Sequence, residues 1–324
     1  MTRRLGEREI IQTLTRIYGS RKRLPLGYED DVAAVPVAPT RWLILKSDML
    51  VASTDVPAGM RLWQAARKAV VATVSDFAAK GVTPRALLIS LGLPKQFTRA
   101  QVVEVGQGLR RGAEEYHCPV VGGDTGQADE LVIDCIGAGE VERGRLVTRS
   151  GARPGDLVAV TDKFGNSAAG LRLLNSKRKI NSQERMALER AVFLPKARLR
   201  EGIALAKTGS VTSSIDSSDG LAWSLHEIAR KSKVALHIDR VPIAREAAYF
   251  GSLTGIPPVT LALYGGEEYE LVFTVKRPDI VKVKKAVPSV LVIGRVENGP
   301  AEVVAVAGGR SVEVERKGYE HFRS

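Results

Sequence analysis

The sequence predicts an α+β fold in two mixed α/β-layer domains, and three observations carry that prediction. At 324 residues the chain exceeds the size at which one hydrophobic core stops growing. Strand-type and helix-type apolar segments interleave, but without the regular rhythm of a doubly wound parallel sheet. A concentrated turn signal, Gly151-Ala152-Arg153-Pro154-Gly155-Asp156, separates two apolar runs near the middle. The expected domains are therefore 1-150 and 151-324.

The elements follow from local pattern. Leu5, Ile10, Leu14 and Ile17 recur at helical spacing, with Gly19 as a stop. Trp42 to Leu45 reads as a strand ending at Ser47-Asp48. Leu62 to Lys80 reads as a long helix closed by Gly81. Ala86 to Leu93 is expected as a strand, Thr98 to Tyr116 as a helix capped by Thr98, and Pro119 to Val121 as a short buried strand. Leu131 to Val141 and Leu146 to Thr148 complete the first sheet. Beyond the turn cluster, Leu157 to Val160, Val211 to Ile215, Ala235 to Ile238, Leu271 to Val275 and Val290 to Val296 read as strands. Ser167 to Leu174, Ser182 to Phe193, Lys196 to Lys207, Leu221 to Lys231 and Asp279 to Val287 read as helices.

Bulk properties narrow the function. A hydrophobic share of 44% fits a globular chain, and no apolar run reaches the roughly 18–20 residues that a bilayer requires. Met1 to Leu5 leads into an amphipathic helix rather than a signal-peptide core, so a cytoplasmic location is expected. Cys118 and Cys135 follow no metal-ligand spacing and read as buried thiols. The net charge of +12 suggests anionic partners. However, the basic runs Arg21-Lys22-Arg23 and Lys282 to Lys285 are short and lack interleaved aromatics, so neither nucleic acid nor a membrane is expected as a partner.

The chemistry is concentrated in five acidic motifs: Asp30-Asp31, Lys46-Ser47-Asp48, Ser75-Asp76, Gly122-Gly123-Asp124-Thr125 and Asp216-Ser217-Ser218-Asp219-Gly220. Each is expected where a rigid element gives way to small polar residues. Nucleophile motifs are absent, neither cysteine has a plausible histidine partner, and there are only four histidines, of which His226 and His237 fall inside a helix and a strand as ordinary packed or surface residues. Converging aspartates repel one another unless a cation neutralises them, and an all-oxygen donor set favours magnesium and phosphate chemistry over zinc. Yet the chain has neither a P-loop nor the protein-kinase motif set. Gly165-Asn166-Ser167-Ala168-Ala169-Gly170 offers only a weak phosphate-loop signal.

The motifs Gly122-Gly123-Asp124-Thr125, Leu146-Val147-Thr148-Arg149-Ser150-Gly151-Ala152, Asn166 to Leu171, Ile215 to Leu221, Gly265-Gly266-Glu267-Glu268-Tyr269-Glu270-Leu271 and Lys317-Gly318-Tyr319-Glu320-His321-Phe322 occur in order along the chain. Together they resemble the thiamine-monophosphate kinases, within the superfamily of aminoimidazole ribonucleotide synthetase. The resemblance implies ATP-dependent, magnesium-dependent phosphorylation of thiamine monophosphate to the diphosphate, in thiamine diphosphate biosynthesis. It also implies a homodimer joined through the N-terminal sheets. Matched to this chain, it implies metal positions at Asp31, Ser47, Asp48, Asp76, Asp124, Asp216 and Asp219, with Asp30 the open alternative to Asp31. Of these, Asp48, Asp76, Asp124 and Asp216 carry the catalytic role. The nucleotide positions are Tyr116, Gly123, Asp124, Arg149 and Ser218; Asp55, Glu267 and Tyr319 face the substrate. Another ATP-dependent synthetase or dikinase of the same superfamily is the alternative.

Three positions depart from the family pattern. Glu29 directly precedes the aspartate pair where the family has Gly-Asp-Asp. Lys46 takes a place often held by a small hydroxyl residue, and Asp55 stands where some members carry histidine.

Overall fold

Burial with period two builds the first sheet. The computed structural model describes residues 5–19, 25–26, 28–176, 178–307 and 310–322; Met1 to Arg4, Arg21-Lys22-Arg23 and Gly27 lie outside them. Strands β1 (Ala33–Ala38), β2 (Arg41–Val51), β3 (Pro84–Leu93), β4 (Val120–Gln127) and β5 (Val132–Glu142) are ordered β1-β2-β5-β3-β4. The β3 and β4 strands pair in parallel, and the other neighbours are antiparallel. Alternate residues of β5, such as Ile133 and Cys135, are buried, so one face of the sheet receives helices. The helices of this half are α1 (Glu7–Ile17), α2 (Ala52–Asp55), α3 (Leu62–Lys80) and α4 (Arg99–Glu115). Thr98 caps α4 as expected: its hydroxyl accepts from Gln101 N while Gln101 Oε1 accepts from Thr98 N at 2.9 Å.

The second half forms a seven-stranded sheet. Its elements are β6 (Leu157–Val160), α5 (Asn166–Leu174), α6 (Ser182–Phe193), α7 (Leu199–Lys207), β7 (Val211–Asp216), α8 (Leu221–Ser232) and β8 (Ala235–Ile238). They continue with α9 (Arg245–Thr254), α10 (Pro258–Tyr264), β9 (Leu271–Val275), α11 (Ile280–Ala286), β10 (Leu291–Glu297), β11 (Val303–Ala307) and β12 (Arg310–Glu313). The strand order is β12-β11-β8-β10-β6-β9-β7.

Helix α3 joins the two halves. Its boundaries match the sequence expectation, and Gly81 closes it with a left-handed φ of 66°. Fifteen of its residues are buried, because it packs between the first sheet, α4 and α7. The α7 backbone comes so close that a Cβ on Gly202 would lie 2.0 Å from Ala78 O. One hydrophobic cluster consequently runs from Val70 and Phe77 through Leu205 to Phe273.

Several expectations need correction. Strand β2 continues through Ser47 and Asp48 because β5 pairs with it along its whole length. Likewise, Asp76 lies within α3 and Asp124 within β4, not at element ends. Strand β4 is exposed along its length rather than buried, since β3 is its only partner in the sheet. Leu146 to Thr148 is irregular; Val147 N instead donates to Lys80 O, and Thr148 O accepts from Ser214 N. The α9, α10, β1, β11 and β12 elements were not anticipated. Pro36 masks β1, which tolerates it as an edge strand.

Candidate active site

Strand alternation places Lys46 and Asp48 on the same face of β2, towards α3. There Lys46 Nζ meets Asp48 Oδ1 at 3.1 Å and Asp76 Oδ2 of α3 at 2.8 Å. At the end of β7, Asp216 Oδ2 accepts from Ser75 Oγ at 2.7 Å, and its other oxygen accepts from Ser218 Oγ at 3.3 Å. Carboxylate oxygens of Asp31, Asp76 and Asp216 all lie within 4.8 Å of one another, and all three residues are buried. Four segments far apart in sequence therefore converge on one point.

A second layer of charge fixes the Asp30-Asp31 loop. Lys80, fully buried, places Nζ 2.7 Å from Asp30 Oδ1, 2.6 Å from Asp31 Oδ2 and 2.8 Å from Ser214 O. Arg149 donates through Nε to Asp31 Oδ1 at 2.7 Å and adds a second bond to the same oxygen through its terminal nitrogen. Arg149 also approaches Glu227, which Arg230 and Arg316 bond in turn. The Arg149 guanidinium thus holds the carboxylate layer together.

Burial and crowding shift these groups in opposite directions. Burial pushes the Asp76 carboxyl well above its ordinary range; Lys46 opposes that rise while Asp48, Asp216 and Asp31 reinforce it. Asp216 is raised to about 6 by burial and then by Asp31, against the Ser75 hydrogen bond. Asp219 is raised to about 7 by burial and by Asp216. For Asp31, burial acts upward, but Arg149 and Lys80 outweigh it and hold the carboxyl below its ordinary value. Lys46 is likewise kept charged, because Asp48 and Asp76 overcome its burial.

These shifts set a pH dependence. In the folded, metal-free chain Asp216 keeps its proton up to about pH 6, whereas an unperturbed aspartate releases it near 3.8. Between those values the folded state holds the extra proton, so this contribution to stability is complete below 3.8 and lost as pH rises through about 6. In EDTA, wild type is expected to lose stability relative to Asp216→Asn as the pH rises from about 4 to about 6. Parallel calorimetric stability curves for the two proteins would refute this.

Asp48, Asp76, Asp216 and Asp219 line a cavity of about 540 Å³. Asp55, Lys68, Glu267, Trp223 and Tyr319 line the same cavity, and Tyr319 N donates to Asp219 O at 3.1 Å. Lys68 is buried on α3, where it forms an ion pair with Glu267 and donates to Asp55 O at 2.8 Å. Glu267 N donates to Ser218 O at 2.7 Å, joining the glycine-rich 265–271 loop to the Asp216–Asp219 loop. The neighbouring Glu268 accepts from Gly165 N and Ser167 N at 2.7 and 3.0 Å. That carboxylate occupies the N-terminus of α5, so Gly165 to Gly170 is not an open phosphate cradle. Helix α1 and the C-terminal segment cover the rim: His321 N donates to Glu7 Oε2, Arg8 pairs with Glu320, and Arg8 lies 3.3 Å above the Trp223 ring.

Among the residues expected from sequence, the structure brings together Asp31, Asp48, Asp76, Arg149, Asp216, Ser218 and Asp219, and Asp55, Glu267 and Tyr319 line the cavity onto which Asp48, Asp76 and Asp216 open. Ser47, Gly123, Asp124 and Tyr116 do not join them. Ser47 points to the opposite face of β2, where its hydroxyl donates to Asp134 Oδ1 at 2.6 Å. Asp124 is exposed on β4, in register with Ser90, and Gly123 precedes it. The Tyr116 hydroxyl is buried against the segment leading into α7, accepting from Ala197 N at 2.9 Å. Sequence reading missed Lys68 and Lys80; lysines inside an otherwise apolar helix were the available signal. The donor set, all carboxylate oxygen with no imidazole or thiolate, suits a small hard divalent cation.

Comparison with known proteins bears on this arrangement. Residues 29–141 match the AIR synthase related protein N-terminal domain, and residues 153–307 match its C-terminal domain. A thiamine-monophosphate kinase from Nitrosopumilus maritimus is 35% identical over 324 residues, 99% of each chain. One from Pyrococcus horikoshii is 39% identical over 288 residues, 87% of each chain. The solved structure of AaThiL complexed with AMPPCP and TMP superposes with a TM-score of 0.86 at 32% identity, covering 99% of this chain and 100% of that one. The two halves are therefore mixed α/β domains of the AIR synthase type.

Proposed function

The chain belongs to the thiamine-monophosphate kinase family, and from that membership we propose that it transfers the γ-phosphoryl group of ATP to thiamine monophosphate, yielding thiamine diphosphate and ADP. The observation that carries this reading is a single cavity lined both by the carboxylates Asp48, Asp76 and Asp216 and by Asp55, Glu267 and Tyr319. Asp48, Asp76 and Asp216 would hold magnesium, which would supply positive charge against the repulsion between two phosphate-bearing substrates.

The chain's own residues supply position. The acceptor is a phosphate monoester, already anionic near neutral pH, so the site needs no strong base. Lys80 and Arg149 hold the Asp30-Asp31 loop in place behind the cluster. Glu267 and Asp55 provide negative charge suited to a cationic thiazolium, and Tyr319, 45% exposed at the rim, offers a ring face. Incubation with ATP, Mg2+ and thiamine monophosphate tests the reading directly. Thiamine diphosphate with ADP is expected; AMP with free phosphate, or untouched substrate, would reject it.

The same reading divides the chain at 150/151, with residues 1-150 binding metal and ATP and residues 151-324 closing the cleft. It places the protein in the cytoplasm, where the free thiols Cys118 and Cys135 stay reduced. Among the described residues no helix is long and apolar enough to cross a membrane. It also makes the protein a homodimer through the first sheet, whose open face exposes Met49, Leu88 and Val121. Ser47, Gly123 and Asp124 lie on strands of that sheet, where a second chain would cover them. Sedimentation at micromolar concentration should give a dimer for wild type and a monomer for Leu88→Glu; a monomeric wild type would sink the dimer.

A further inference from the structure

The carboxylate cluster already contains a cation. Lys80 and Arg149 are engaged by Asp30 and Asp31, so they do not neutralise Asp48, Asp76 and Asp216. Lys46 does: its ammonium contacts Asp48 and Asp76, and the field of Asp216 also reaches it. The ammonium is not on a mobile loop. Lys46 and Asp48 alternate on a strand locked by pairing with Gly137 and Cys135 of β5, and Asp76 is fixed on the buried helix α3. A charged ammonium has no lone pair, so Lys46 cannot be a metal ligand; it can only occupy space that a metal would otherwise fill.

We propose that Lys46 is a resident monovalent cation of the site, taking one cation position, so that the nucleotide-free chain binds one divalent ion fewer than its carboxylates alone would hold. Lys46 is thus a positioning residue: it keeps Asp48 and Asp76 at their spacing before metal and substrates arrive. This rests on the reading that these carboxylates bind divalent cations.

Mn2+ alone, without nucleotide, is the probe, with free ion counted by electron paramagnetic resonance. Lys46→Met is expected to bind one more Mn2+ per chain than wild type. Its melting temperature in EDTA should fall below that of wild type, and Mn2+ should remove the difference. Lys46→Arg, which keeps the charge, should bind the wild-type number. Equal counts for wild type and Lys46→Met, whatever happens to the affinity, overturn the proposal, as does an increased count in Lys46→Arg. Wild type supplies a second measurement should the Met variant not fold. At saturating Mg2+ the Lys46 ammonium should remain protected in its 15N resonance, and a signal merging with free lysine would overturn the proposal. Absence of any Mn2+ binding by wild type would instead reject the metal part of the proposed function, an outcome separable from failure of the Lys46 assignment.

Discussion

Asp76→Asn is expected to lower kcat by about a thousandfold while leaving the chain folded. Asp76 stands at the centre of the cluster, in contact with Lys46 and within reach of Asp31 and Asp216. Asparagine keeps its shape but removes one charge from the donor set, so divalent ions and the phosphates they neutralise are held less well. Stability should respond in the opposite direction. Burial and three neighbouring carboxylates already disfavour the ionised Asp76, so the uncharged variant should be at least as stable as wild type in EDTA near neutral pH. Steady-state kinetics and thermal melts measured together check both halves. Activity within tenfold of wild type would remove Asp76 from the reaction.

Lys80→Met should cost about 3–5 kcal/mol of folding stability, the largest loss from any single change at the site. Its ammonium is fully buried and touches Asp30, Asp31 and the Ser214 carbonyl, so methionine leaves two carboxylates without their shared partner. The replacement is close in length and apolar, which confines the change to charge and hydrogen bonding. Urea denaturation reads the loss, and lowering the pH should shrink it as the abandoned carboxylates take protons. A loss below about 1 kcal/mol would mean that Arg149 alone suffices to hold the loop.

Much of this architecture was legible because its signals are local. The α3 boundaries followed from an uninterrupted apolar run and Gly81, and α4 from the Thr98-to-Gln101 capping pattern. Aspartates that converge in space were recognisable from their small-residue neighbours and from their order along the chain. Illegible were features set by partners distant in sequence. Whether Asp48 ends a strand or lies within one depends on β5, some 87 residues away in sequence. Asp124 and Ser47 belong to acidic motifs like the others, yet strand geometry turns Ser47 from the cavity and leaves Asp124 exposed on β4. No local pattern around Tyr116 separates a nucleotide contact from a structural one, because its hydroxyl partner is on the chain segment leading into α7. Lysines are ordinarily surface residues; Lys46, Lys68 and Lys80 are inside because carboxylates from other elements meet them there.

Helix α3 has a mechanical consequence. It carries Asp76, Lys68 and Lys80, is clamped to β7 through Ser75 and Lys80, and touches α7 backbone to backbone at Gly202. A jaw-like rotation of one half against the other would have to tear those contacts and the shared apolar core together. At the rim, by contrast, α1 meets the C-terminal segment and the Trp223 ring through the Glu7 and Arg8 side chains. The floor of the site is therefore tied to both halves of the chain at once.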